Sequence, residues 1–152
     1  MKLSWTSLKI SIAGAKLSHL VQKDKIWDHG SMAEQARIIF YIVEKALING
    51  NIDTLKKYMT TSCFEKLQRE VSQEDSINKV FGIREPAIKE LAVIEVCPAK
   101  NNKSDRFTAI IKGDTKIKNE TVGNDQLKQF SVQWSFIRLG DWWLLDRIEW
   151  HF

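Results

Sequence analysis

The spacing of apolar residues changes period midway along this 152-residue chain, and that change restricts the fold more than any other feature. From Met32 to about residue 71 the apolar positions recur three and four apart, as on one face of a helix, whereas from about residue 88 they alternate, as on one face of a strand. Helices followed by a run of connected strands predict an α+β fold, with an antiparallel meander of about four strands holding one face against the helices.

The first half supplies three helices. Met32, Ala36, Ile39, Phe40, Val43, Ala46 and Leu47 form one continuous apolar face, and Asn49-Gly50 supplies a left-handed stop. Ser31, with Glu34 three residues on, reads as a capping box and places the start of that helix at Ser31. Asp53 is positioned to cap a short helix that buries Leu55, Tyr58 and Met59. Ser62 with Glu65 reads as a second capping box, opening a helix that buries Phe64, Leu67 and Val71.

From 73 to 86 the periodicity is lost, and Gly82 and Pro86 mark a connection. Segments 88–97, 106–118, 127–138 and 142–152 are rich in β-branched and aromatic residues, with turn chemistry between them and a tight Leu139-Gly140-Asp141 turn before the last. Trp134 shares its alternating face with Val132 and Phe136, which makes it a sheet-to-helix anchor. There is no internal repeat.

Hydrophobic residues make up 43% and charged residues 28% of the chain, and no stretch reaches the roughly 18 apolar residues of a membrane span. Cys63 and Cys97 lie far apart without a CxxC, the pattern of free buried thiols in a reducing compartment such as the cytoplasm or a mitochondrial matrix. The net charge of +4 is too mild to predict nucleic-acid binding. Its distribution is uneven, because residues 1–30 carry five lysines against two aspartates and therefore hold three of the four net charges. Residues 1–23 read as a basic N-terminal arm, and 24–152 as the folded domain. The arm does not read as a secretory signal, since Lys9 and Lys16 break its apolar run and no small-residue cleavage site follows. Leu8, Ile10 and Ile12 alternate as in a strand, and Gly14 would interrupt a helix, so the arm reads as solvated. Yet Lys2, Lys9, Lys16 and Lys23 recur every seven residues beside Trp5, a stripe suited to anionic lipid or an acidic protein partner.

The common catalytic signatures are missing: no phosphate-binding glycine loop, no GxSxG and no HExxH. His19, His29 and His151 have no metal-ligand spacing, so neither a metal nor a cofactor is expected. Asp146 and Glu149 on the last strand could serve as a general base among tryptophans, but a rim carboxylate paired with Arg147 or Arg138 is the simpler reading. Trp134, Trp142, Trp143 and Trp150 crowd the last 19 residues on alternating strand positions, which points to sheet core or pocket lining.

The runs Asp24-Lys25-Ile26-Trp27-Asp28, Ala36-Arg37-Ile38-Ile39-Phe40, Asn49-Gly50-Asn51-Ile52-Asp53 and Leu55 to Leu67 resemble the Tim-forty-four-like family. Val132 to Arg138, then Asp141-Trp142-Trp143-Leu144-Leu145 and Ile148, are similar to that family's closing strand pair, and the resemblance covers about residues 24–150. It implies a fold like that of the nuclear transport factor two superfamily, a cone of helices wrapped on a curved antiparallel sheet around an apolar pocket. Phe40, Trp134, Phe136, Trp143 and Trp150 would line that pocket. It also implies a non-enzymatic binding or scaffold domain, peripheral to a membrane, holding an apolar small ligand, a lipid surface or a partner protein. The arm residues Lys2, Trp5, Lys9, Lys16 and Lys23 would supply the membrane or partner contact. The enzymatic branches of the superfamily supply the alternative: a small-molecule isomerase, dehydratase or hydrolase using Asp146 or Glu149.

Overall fold

The computed structural model describes residues 4–72, 84–100, 104–118 and 125–151. Helices α1 (Trp5–Leu20), α2 (His29–Asn49) and α3 (Thr61–Val71) precede strands β1 (Arg84–Cys97), β2 (Arg106–Lys118), β3 (Asp125–Leu139) and β4 (Trp142–His151). Two 3₁₀ turns, Lys25–Trp27 and Ile52–Lys57, join the helices. The strands form one open antiparallel sheet in the order β1-β2-β3-β4, an α+β meander.

The apolar face of α2 lies against the sheet, with Met32, Ala36, Ile39, Phe40, Val43 and Ala46 all buried. Gly50 ends the helix at φ 71°, a left-handed conformation that glycine adopts without a side-chain penalty. The start of α2 differs from the capping-box expectation. Asp28 is the cap: its Oδ2 accepts the Ser31 backbone N–H and the Ser31 hydroxyl, both at 2.9 Å, so the helix begins at His29 and Ser31 is a donor to the cap. The same shift occurs at α3, where Thr60 Oγ1 accepts the Cys63 N–H at 3.3 Å and the helix begins at Thr61, one residue before Ser62. Asp53 lies inside the Ile52–Lys57 turn, whose cap position is Asn51.

Residues 5–20 of the arm are helical, capped by the Ser4 hydroxyl accepting the Ser7 N–H at 3.0 Å. Ala13 and Leu17 bury this helix against the rest of the fold, chiefly against β1. Gly14 is tolerated because it stands on the exposed side with open space around it.

The strands lie close to where alternation placed them. β1 begins earlier, at Arg84, and runs through Pro86, which an edge strand accepts because its outward backbone needs no ladder hydrogen bond. The register shifts between Arg84 and Ala87 and again between Ile88 and Glu90, bringing β1 backbone close over Gly113 of β2. A Cβ at Gly113 would collide with the Ala87 carbonyl, so this position needs glycine. The expected connection 73–83 and the last residue, Phe152, lie outside the described residues.

The sheet face toward α2 is aromatic. Phe40 packs on Trp134 with ring centroids 5.1 Å apart and stacks on Phe130 at 5.8 Å. Phe107 stacks on Phe136 and meets Trp143 edge-on, both at 4.8 Å, and Trp143 meets Trp27 edge-on at 5.4 Å. Edge-on and offset contacts of this kind add about 0.5–1.5 kcal/mol to the area each ring buries. Arg138 ties the perimeter together: its guanidinium donates to Asp24 at 2.7 Å, to Asp105 at 3.0 Å and to the Gly140 carbonyl at 2.7 Å. Three segments distant in sequence, the α1–α2 link, the β1–β2 loop and the β3–β4 hairpin, therefore meet on one side chain. Its hydrogen bond is the main reason that the Asp24 carboxyl is held below the ordinary carboxylate range.

Candidate functional site

Four of the aromatic residues assigned to a pocket wall, Phe40, Trp134, Phe136 and Trp143, are at most 1% exposed and pack on one another or on Phe107, as core. Trp150 pairs in register with Val132, and its side chain lies outside the description. Around these packed rings, two outer surfaces of the described residues carry exposed apolar or charged side chains.

The first is the outer face of α1. Trp5, Leu8 and Ile12 are 71%, 43% and 50% exposed, and their spacing of three and four residues places them in one stripe. On a helix turning about 100° per residue, Lys9 and Lys16 fall between this stripe and the buried Ala13 and Leu17. Both lysines also border, with Ile12 and Ala13, a shallow cavity of about 180 Å³ against Ile94, Glu95 and Val96 of β1. Ser7, Ser11 and Ser18 occupy the remaining face. The helix is thus apolar on two sides, one covered and one open, and residues 1–23 carry no carboxylate. Lys23 follows the helix as an exposed residue, while Lys2 lies outside the described residues.

The second is the seam between α3 and β4. After the turn, Tyr58 to Thr60 forms one parallel bridge with β4: Leu145 N–H donates to the Tyr58 carbonyl and Thr60 N–H to the Leu145 carbonyl, both at 2.9 Å. Asp146 sits beside that bridge with both oxygens engaged. Its Oδ1 accepts the Thr60 hydroxyl at 2.9 Å and its Oδ2 faces the Arg106 guanidinium at 3.4 Å. Thr60 therefore serves twice, capping α3 and anchoring β4. Glu149 Oε1 forms an ion pair with Arg147, 3.1 Å from its Nε. Both carboxylates thus sit in ion pairs on the rim of the sheet, apart from the stacked aromatic interior. The Cys63 thiol, beneath the seam, is pushed up to about 12 by burial, with the Asp146 charge adding to the effect, so it stays protonated and unreactive, whereas Cys97, expected to be buried, is exposed because it closes the edge strand β1.

Sequence patterns did not single out Glu44. It lies on α2 at 3% exposure, Oε1 has no hydrogen-bond partner among the described residues, and burial pushes its carboxyl up to about 8. Nor could they pair Thr60 with Asp146, 86 positions apart, since that contact arises only when β4 folds back along the turn. Among the described residues no group of three histidine, cysteine or acidic side chains is placed to hold a metal, and no helix is long and apolar enough to cross a membrane.

No protein-family pattern matches the chain. No curated protein matches it either. Among solved structures, the chain is similar to the intermembrane space region of the chloroplast protein ARC6, at TM-score 0.55 and 8% identity over 82% of this chain and 98% of that one. The likeness is one of fold.

Proposed function

We propose that this chain is a non-enzymatic binding domain of the Tim-forty-four-like type that docks on an anionic membrane surface through α1. The observation that carries the reading is the open stripe of Trp5, Leu8 and Ile12 bordered by Lys9 and Lys16 on a helix free of carboxylates. A bilayer interface is complementary to that pattern: tryptophan and aliphatic side chains enter the headgroup region, and lysines meet anionic lipid. The contacts of Asp146 with Thr60 and Arg106 and the Glu149–Arg147 pair give both carboxylates structural partners, which favours binding over the isomerase, dehydratase or hydrolase alternative.

Sedimentation with vesicles containing cardiolipin or phosphatidylserine tests this. The intact chain should pellet at low salt, and physiological salt should weaken it as the screening length falls to about 8 Å. Replacing Lys9 and Lys16 by glutamine should cost about 1 kcal/mol per lysine, and Trp5→Ala should weaken binding further. Equal pelleting of intact and substituted chains, or indifference to salt, would overturn the assignment to α1.

A further inference from the structure

The shallow cavity of about 180 Å³ between α1 and β1 is walled by Ile12 and Ala13 on the helix and by Ile94 and Val96 on the strand. Ile12 also belongs to the open stripe of α1, so the cleft is continuous with exposed apolar surface. Three charged side chains border it, Lys9, Lys16 and Glu95, and they are not equivalent. Lys16 and Glu95 both act on the Cys97 thiol: partial burial pushes that thiol up, the Glu95 carboxylate, which accepts its hydrogen at 3.3 Å, pushes it further, and the Lys16 charge draws it back. The two charges therefore share the Cys97 end of the cleft, where one offsets the other. Lys9 lies about two helical turns earlier, about 10 Å along the axis. It is half-buried and makes no ion pair among the described residues. Since residues 1–23 carry no carboxylate and Glu95 is answered by Lys16, Lys9 is the uncompensated charge of this cleft.

We infer that the cleft takes one medium-chain fatty acid, its carboxylate on the Lys9 ammonium and its alkyl chain between Ile12 and Ala13 of α1 and Ile94 and Val96 of β1. At about 30 Å³ for each water-sized group, 180 Å³ accommodates on the order of six methylenes. That is enough for a segment of one chain and too little for two side by side, so a single-chain ligand fits where a diacyl lipid does not. Carbons beyond that segment would continue over the open stripe, which Ile12 joins to the cleft. The apolar walls supply the affinity for the chain, and Lys9 selects an anionic head over a cationic one. The inference rests on the membrane reading for its class of ligand, because a bilayer surface is where such amphiphiles concentrate. It concerns the inner side of α1, whereas vesicle docking concerns the outer.

The probe is laurate below its micelle-forming concentration, titrated calorimetrically into the full chain, where it should bind saturably at one site. Lys9→Gln should weaken it about tenfold, the loss of one charge-assisted contact. Lys16→Gln and Glu95→Gln, at the balanced end, should each change it by at most about twofold. Dodecylammonium, the same chain with the opposite charge, should not bind. Laurate carrying a diazirine at its chain end should cross-link to Ala13 or to Ile94, Glu95 or Val96, a readout that needs no substitution. Vesicle pelleting separates this inference from the reading it rests on: the two lysine substitutions should weaken pelleting alike, and Trp5→Ala should weaken pelleting while leaving laurate binding in place. The inference is overturned by uptake that does not saturate, by equal losses from Lys9→Gln and Lys16→Gln, by equal binding of dodecylammonium, or by cross-links confined to Trp5 and Leu8. Each of those results leaves the pelleting test of membrane docking as it stands.

Discussion

Helices α1 and α2 both lie against the sheet, yet they hold to it in opposite ways. α2 buries seven residues from Met32 to Ala46, and Phe40 alone packs on Trp134, Phe130 and Tyr41. α1 buries only Ala13 and Leu17 and leaves Trp5, Leu8 and Ile12 in solvent. α2 is consequently part of the core, and its loss would expose the aromatic face of the sheet. α1 is an attachment whose apolar residues exceed what the sheet beneath it can cover. That open stripe is the observation on which the proposed membrane contact rests.

Two truncations measure this contrast most directly. Phe40→Ala removes a fully buried ring from between α2 and the sheet and should cost about 3–5 kcal/mol, felt by the whole molecule. Leu17→Ala removes one of two anchors from a helix whose neighbourhood can settle around the loss, and should fall near the lower end of the leucine range, about 2 kcal/mol. Denaturant midpoints give the sizes. Hydrogen exchange gives the location: Leu17→Ala should release protection in α1 while α2 stays protected. A Leu17→Ala chain that loses as much stability as Phe40→Ala, with exchange rising evenly throughout, would make α1 as much a core element as α2.

Glu44 sharpens the contrast from within α2, for it sets a titratable group in the better-packed helix. Its carboxyl ordinarily titrates near 4.5 and is pushed up to about 8 in the fold. Between those values the native state keeps a proton that the unfolded chain has released, so stability declines as pH rises, by about 1.4 kcal/mol per unit while the window lasts. The protonated form gives its full contribution below about pH 4.5, and the contribution is lost above about pH 8. Glu44→Gln keeps the neutral shape without the titration, so its unfolding midpoint should change little between pH 5 and 8 while that of the parent drops. Parallel curves for the two chains would place the Glu44 carboxylate in contact with a compensating charge or with water.

These two helices also separate what could be read along the chain from what could not. The single apolar face of α2, its glycine stop and the four alternating strands were visible because each depends on neighbours a few residues away. α1 escaped the same reading because its apolar residues serve two faces: Ala13 and Leu17 point in, Leu8 and Ile12 point out, and the combined pattern resembles strand alternation as much as a helix. The aromatic character of the interior was plain in Trp134 and Phe136, but whether such residues enclose space or fill it depends on Phe40, Phe130 and Phe107 arriving from other elements. The Asp146 seam and the Arg138 junction join residues many tens of positions apart, and local spacing carries no trace of such contacts.

The helix starts offer the smallest and most discriminating comparison, because the two helices use caps of the same geometry under different loads. At α2, Asp28 accepts two hydrogen bonds from Ser31, and Asp28→Ala leaves a helix N–H without its acceptor, at a cost of about 1 kcal/mol. Ser31→Ala removes only the hydroxyl donor and keeps the backbone N–H on the carboxylate, so its cost should be a few tenths of a kcal/mol. Had Ser31 been the cap, the ranking would be reversed. At α1, Ser4→Ala removes the acceptor for Ser7 N–H, with a local cost near 0.5 kcal/mol, the low end for caps. Since α1 can loosen while the core stays folded, the change should raise amide exchange in its first turn and leave the global midpoint in place. A shift of that midpoint by Ser4→Ala as large as the shift from Asp28→Ala would show that the two helices unfold as one unit, and that the open face of α1 is held more firmly than two buried side chains explain.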